Sequence, residues 1–195
     1  MDQYFSTDAD KLESKPRQIT TMIGGKPFVF ATDKGVFSHV GIDFGTRLLC
    51  DTILPNPASK VLDLGCGYGV IGIVLAKLWA ADVTMTDINP RAVQLSRENA
   101  RGNRVRPTIM RKDALDVISP DFDLIVTNPP IRAGKDQYYP WFQRSGDCLK
   151  PGNSLIFVIR KEQGAPSAIH YCESIFPEVT ILAKKSGYYV VKCKK

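Results

Sequence analysis

From residue 60 onward, short apolar runs of strand length alternate with stretches in which apolar residues recur at helical spacing. The runs at 61–64, 83–86, 108–110, 124–127, 155–159 and 180–183 read as strands, with a last strand at 188–191. Strands that alternate with helices in this way predict a parallel sheet covered by helices on both faces, an α/β fold. Pro90, and the break Gly164-Ala165-Pro166, stand where helices start. Upstream, residues 19–23 and 26–30 predict two short strands joined by the Gly24-Gly25 turn. A Gly-rich segment and a helix at about 46–53 follow. The chain therefore divides into a polar, flexible N-terminus (1–16), a hairpin and helix (17–59) and an α/β domain (60–195). No internal repeat or low-complexity segment interrupts it.

A chain of 195 residues with 44% hydrophobic content can bury one substantial core and is short for two ordinary domains. No apolar run approaches the roughly 20 residues that cross a bilayer, and Met1-Asp2-Gln3-Tyr4 opens no signal peptide, so a cytoplasmic, membrane-free protein is expected. Cys50, Cys66, Cys148, Cys172 and Cys193 are odd in number and contain no C-x-x-C pair. They read as reduced and structural, outside any disulfide framework or zinc site. His39 and His170 have no partners at metal-ligand spacing, so no metal is expected. A net charge of +6 suits an acidic partner such as RNA, but mild basicity is common in proteins that bind none.

Chemistry enters with Asp63-Leu64-Gly65-Cys66-Gly67-Tyr68-Gly69, which leaves the first strand of the α/β domain. Gly67 to Gly72 also satisfy the G-x-G-x-x-G dinucleotide pattern, with Asp87 about 20 residues on. By pattern alone, a nicotinamide dinucleotide and S-adenosylmethionine both remain open. Asp63 tips the balance toward S-adenosylmethionine, because a carboxylate there would repel a pyrophosphate and attract the ammonium of a methionine moiety. Gly65, Gly67 and Gly69 allow close approach of the backbone, and Asp87 is placed to accept hydrogen bonds from both ribose hydroxyls. Asp113 reads either as an acceptor for the adenine amine or as a helix N-cap. Its position at the end of a third successive strand favours the first.

A second motif, Asn128-Pro129-Pro130-Ile131, leaves the strand at 124–127. Its prolines lack N–H groups and stiffen the backbone, so acceptors are left facing the sheet rim. The Asn128 side-chain oxygen and the Pro129 carbonyl can grip the two hydrogens of a planar exocyclic amine and aim its nitrogen at a methyl donor, with no strong general base required. Cys66, with no base nearby in sequence, is not expected to act as a nucleophile.

The ordered strings Val-Leu-Asp-Leu-Gly-Cys-Gly-Tyr-Gly, Thr-Asp-Ile-Asn-Pro-Arg-Ala-Val and Asn-Pro-Pro-Ile resemble the class I S-adenosylmethionine-dependent methyltransferases. Gly35-Val-Phe-Ser38, Asn128-Pro-Pro-Ile-Arg-Ala-Gly-Lys135 and Lys161-Glu-Gln-Gly-Ala-Pro166 are similar to the small-subunit ribosomal RNA guanine-N2 methyltransferases. The resemblance covers nearly everything after Gln18. It implies a Rossmann-like seven-stranded sheet whose last strand is antiparallel, with S-adenosyl-L-methionine over residues 65–69, Asp87 with Ile88, and Asp113 with Ala114. It also implies a target base at Asn128 and Pro129, flanked by Pro130, with Phe37 and Ser38 helping to close the site. Adenine-N6 and protein glutamine methyltransferases with this elbow, the alternatives that remain open, usually carry Tyr or Phe after the prolines, and Ile131 favours guanine over adenine. Longer family members carry a second, degenerate half, for which self-association as a homodimer is the expected substitute here. A non-catalytic RNA-binding or ribosome assembly module is the alternative of another class, and the complete set Asp63, Gly65, Asp87 and Asn128 argues against it.

Arg132 and Lys135, Arg160 and Lys161, and Lys184 and Lys185 follow three successive strands. A parallel arrangement would bring all six to the rim beside Asn128 as phosphate contacts for ribosomal RNA or the small subunit. Arg97, Arg101, Arg104, Arg106, Arg111 and Lys112 form a second cluster, which reads as a solvated sheet edge. The aromatic run from Tyr138 to Phe142 reads as core.

Overall fold

The computed structural model describes residues 14–54 and 57–195. The expected flexible segment 1–16 therefore lies outside the described residues except for its last three. Strands β1 (Arg17–Ile23) and β2 (Lys26–Thr32) form an antiparallel hairpin around Gly24 and Gly25, both in left-handed backbone. Helix α1 (Phe44–Ile53) starts two residues before the sequence reading placed it, because the Asp43 carboxylate caps it by accepting from the Thr46 N–H at 3.1 Å. Then β3 (Lys60–Leu64), α2 (Val70–Trp79), β4 (Asp82–Asp87), α3 (Pro90–Gly102), β5 (Thr108–Arg111), β6 (Leu124–Thr127), α4 (Lys135–Cys148), β7 (Ser154–Arg160), α5 (Ala165–Glu173), β8 (Glu178–Lys185) and β9 (Tyr188–Lys194) follow in order. As expected from Pro90, α3 starts there, with Asn89 as its cap accepting from the Arg91 and Ala92 N–H groups.

The large sheet has seven strands in the order β5-β4-β3-β6-β7-β9-β8. Its first five are parallel, and β9 runs antiparallel to both β7 and β8, as the family resemblance implied. Strands β8 and β9 extend beyond their apolar runs. A turn through Ser186 and Gly187, both with positive φ, zips their polar ends into the ladder, and backbone pairing does not require apolar side chains. Alternate residues feed two separate core layers. Val61, Val126 and Val158 pack with α1, α2 and α3, whereas Leu62, Leu64, Ile125 and Phe157 pack with α4 and α5.

The hairpin joins the first of these layers through Ile23, Phe28 and Phe30, each fully buried. Its outer edge is closed by α3. Asn103 exchanges two hydrogen bonds with the Val29 backbone (3.2 and 2.7 Å) and Asn99 two with Ala31 (2.6 and 2.8 Å), so two side chains one helical turn apart imitate a neighbouring strand. Asn99 also donates to the Tyr68 carbonyl at 2.8 Å, tying the hairpin to the glycine loop.

Candidate active site

A cavity of about 610 Å³ opens at the carboxyl ends of β3 to β7. Ligands of open α/β sheets bind on that rim. Its wall includes Gly65 and Gly67 after β3, Asp87 and Ile88 after β4, and Asp113 and Ala114 after β5. Asn128 to Arg132 after β6 and Arg160 at the end of β7 continue it.

In the glycine loop, Gly67 (φ +57°) donates its N–H to Asp87 Oδ2 at 2.8 Å, and an added Cβ there would meet open space. Its need for glycine is therefore conformational. Gly65 (φ +64°) lies so close to the Trp141 ring that a Cβ would sit 3.4 Å from it. Gly69 does not line the cavity; it forms the left-handed N-cap of α2 against Ile73, Met85 and Ser96.

Asp63 also departs from the simple expectation. It is fully buried outside the cavity wall, and its Oδ2 accepts from the Gly72 N–H at 2.8 Å, which anchors the first turn of α2. Its Oδ1 has no hydrogen-bond partner. Burial pushes this carboxyl up to about 7, against the lowering effect of the Gly72 N–H and with a further rise from the Asp87 charge. The Asp87 carboxyl is likewise raised by burial, opposed by the N–H groups of Asn89, Gly67 and Ile88. Asp87 Oδ2 accepts from Gly67 and Oδ1 from the Asn89 N–H at 2.9 Å, and the carboxylate keeps capacity for ligand hydroxyls.

Asp113 is a cap that also reaches the cavity. Its Oδ1 caps a short 3-10 turn by accepting from the Leu115 N–H at 2.9 Å, yet the residue also lines the cavity. Phe37, Val40, Ile88 and Leu115, all among the exposed large hydrophobic residues, converge on the same wall and offer flat apolar cover. The segment carrying Phe37 and Ser38 is held against α3, where Asn89 Nδ2 donates to the Gly35 carbonyl and Arg91 to the Lys34 carbonyl.

The elbow is braced from a direction that sequence reading missed. Asn128 Nδ2 donates to Thr46 Oγ1 at 2.9 Å and to Asp43 Oδ2 at 3.3 Å. Because a carboxylate can only accept, this pair fixes which end of the amide is nitrogen and leaves Oδ1 as a free-standing acceptor. The Tyr188 hydroxyl closes the brace with a 3.5 Å bond to Asp43 Oδ1. Pro130 (φ −75°, ψ 69°) makes an inverse γ-turn in which the Ile131 N–H donates to the Pro129 carbonyl at 2.8 Å, so that oxygen keeps one lone pair. The signal for Asp43 was local and available, since Asp three residues before Thr46 is an N-cap pattern. Its second task is visible only in three dimensions.

The aromatic run divides. Tyr138 and Phe142 are core, as expected, whereas Trp141 is only partly buried and lines the cavity beside Gly65. The six rim cations divide too. Arg132 and Arg160 line the cavity, and the Arg160 guanidinium stands over the Tyr188 ring at 5.2 Å. Lys135, over the Tyr139 ring, and Lys161 stand outside the wall. Lys184 and Lys185 lie on the edge strand β8, because β9 inserts between β7 and β8 and moves them one strand further from Asn128 than chain order suggests. Burial raises the Cys66 thiol well above its ordinary value, which holds it as a neutral thiol.

The family model described as the methyltransferase small domain matches residues 27–192. A Bacillus subtilis protein, the uncharacterized protein YbxB, is 40% identical over the full length of both chains. The ribosomal RNA small subunit methyltransferase C of Vibrio cholerae is 35% identical over 83% of this chain, which spans about half (48%) of that relative. Among solved structures, the Thermus thermophilus 16S rRNA N2 G1207 methyltransferase, in complex with AdoMet and guanosine, superposes with a TM-score of 0.82 at 25% identity. That match covers 94% of this chain and 52% of the other. No helix among the described residues is long and apolar enough to cross a membrane.

Proposed function

The chain belongs to the methyltransferase small domain family, and from that premise we propose that it methylates the exocyclic N2 amine of guanine in small-subunit ribosomal RNA, using S-adenosylmethionine. The observation that carries the reading is the oriented Asn128 amide, with its nitrogen tied to Thr46 and Asp43 and its oxygen left to accept.

The residues fit this cofactor. Asp63, buried just before the glycine loop with Oδ1 unpartnered, sets a negative charge behind the site that suits an ammonium, and the Asp87 oxygens have capacity for ribose hydroxyls. Ile88, Ala114 and Leu115 provide apolar cover for adenine beside the Asp113 carboxylate. When bound, S-adenosylmethionine supplies an electrophilic methyl group. Asn128 Oδ1 and the Pro129 carbonyl hold the two amine hydrogens, which turns the nitrogen's weak lone pair toward the methyl position. The methylated nitrogen is then acidic enough to give its proton to water. Arg132 and Arg160 set the flanking phosphates, and Ile131 covers the base. Similarity to the guanosine-bound Thermus enzyme supports guanine as the target.

Asp63 gives a pH signature. Its carboxyl is raised to about 7, so below that pH the negative charge behind the glycine loop, and with it the attraction for the cofactor's ammonium, is lost. Cofactor affinity should therefore fall by up to about tenfold per unit as pH drops from about 7 to 5.5, and Asp63→Asn should flatten the profile. Titration calorimetry across that range checks it; identical profiles for both proteins would remove Asp63 from the cofactor site.

The function itself is tested by acceptor chemistry. RNA transcribed with inosine in place of guanosine lacks only the 2-amino group and should accept no label from methyl-labelled S-adenosylmethionine, whereas the guanosine transcript should. Equal labelling of both would exclude the N2 amine.

A further inference from the structure

On the reading that RNA is the substrate, we propose that a cleft between α3 and β5 is a second RNA-binding site, which grips the phosphate backbone beside the catalytic cavity. The cleft encloses about 350 Å³, with Pro90 and Val93 as its apolar wall and Arg97, Arg101 and Arg111 facing it. From Arg97 to Lys112 the chain carries six basic residues and one acidic residue, Glu98, a net of five positive charges out of the chain's six. All six basic residues are exposed, and none makes an ion pair among the described residues. The Glu98 carboxylate is instead engaged by Gln94 on its own helix.

A strand edge charged only to prevent pairing would carry its charges on the strand. Here Arg97 and Arg101 stand on α3 and, together with Arg111 on β5, enclose a hollow, with Arg104 just beyond the end of the helix. Two guanidinium groups are pre-set at its walls: Arg97 donates to the Ile109 carbonyl (3.2 Å) and Arg111 to the Ile88 carbonyl (3.3 Å). Each bond uses one of five N–H donors, so the planar fork that matches a phosphate remains available. The hollow adjoins the cavity directly. Arg111 lines the cleft and its neighbour Lys112 the cavity, just as Pro90 lines the cleft and Ile88 the cavity. Strand β5 lies three positions from β6, about 14 Å, so a few nucleotides would link a base at Asn128 to phosphates in the cleft. Five of the six cations are arginines, which favours phosphate over an acidic protein surface.

The test measures binding of a small-subunit ribosomal RNA fragment to the full chain over a range of salt. The variant Arg97→Glu, Arg101→Glu, Arg111→Glu should reduce the slope of log affinity against log salt by about 2–3 and weaken binding at least about tenfold at moderate salt, with S-adenosylmethionine affinity retained. If the triple variant loses cofactor binding, Arg101→Gln with Arg104→Gln changes only side chains without internal hydrogen bonds and should lower the slope by about 1–2. A wild-type slope in a variant that still binds the cofactor would overturn the proposal. Displacement of RNA by polyglutamate at equal charge would overturn it in favour of an acidic protein partner. Methyl transfer by the wild-type protein is scored separately, so a failure of the guanine-N2 reading leaves the cleft measurement intact.

Discussion

Replacing Asn128 with alanine should lower single-turnover methyl transfer to RNA by on the order of 10²–10³ while changing S-adenosylmethionine affinity less than about threefold. The expected loss is large because the exocyclic amine is a poor nucleophile until its hydrogens are held, and alanine removes the one side-chain acceptor at the elbow. Little of the fold depends on the residue. The Asp43 carboxylate keeps its bond from the Thr46 N–H, and Pro129 and Pro130 still fix the backbone. Asn128→Asp restores an acceptor but sets it against the Asp43 carboxylate, 3.3 Å from the lost amide nitrogen, so it should not rescue activity. Turnover within tenfold of wild type for the alanine variant would remove Asn128 from the reacting site.

Asp87→Ala should weaken S-adenosylmethionine binding by about 100-fold or more, measured by titration calorimetry. The carboxylate has two tasks. It accepts from the Gly67 and Asn89 N–H groups, which shapes the glycine loop, and it keeps capacity for two ribose hydroxyls. Hydrogen bonds to a charged group contribute about 1.5–3 kcal/mol each, so losing the two ligand bonds alone accounts for that factor. The freed Gly67 N–H faces the open cavity, where water can satisfy it, so thermal stability should fall only modestly. Affinity within threefold of wild type would contradict the assignment of Asp87 to the ribose.

The cofactor half of the site was legible in the chain because its chemistry is local. A strand, a glycine loop and an acid at the next strand end occupy continuous strings, and burial on both faces makes the central strands β6 and β7 plain apolar runs. Asp113 was read as a ligand from its place at a strand end, and the structure adds the cap it makes at Leu115 while it lines the cavity. The target half was only partly legible. Asn128 stood out beside its prolines, but its partners Asp43 and Thr46 lie 85 and 82 residues away, and Tyr188 reaches Asp43 across 145. No periodicity carries such pairings. The basic rim was drawn from chain order, and the insertion of β9 between β7 and β8 displaced Lys184 and Lys185 from it. The cluster read as a solvated edge is exposed at the edge strand β5, and three of its members, Arg97, Arg101 and Arg111, also line a cleft because helix α3 and strand β5 turn them toward the same hollow.

The most direct measurement of the central claim is transfer of labelled methyl from S-adenosylmethionine to 30S particles, RNA and protein from a strain lacking this protein, followed by digestion to nucleosides and amino acids. The label should appear in N2-methylguanosine from the small-subunit RNA. Label in N6-methyladenosine or in methylated glutamine, with none in N2-methylguanosine, would contradict it.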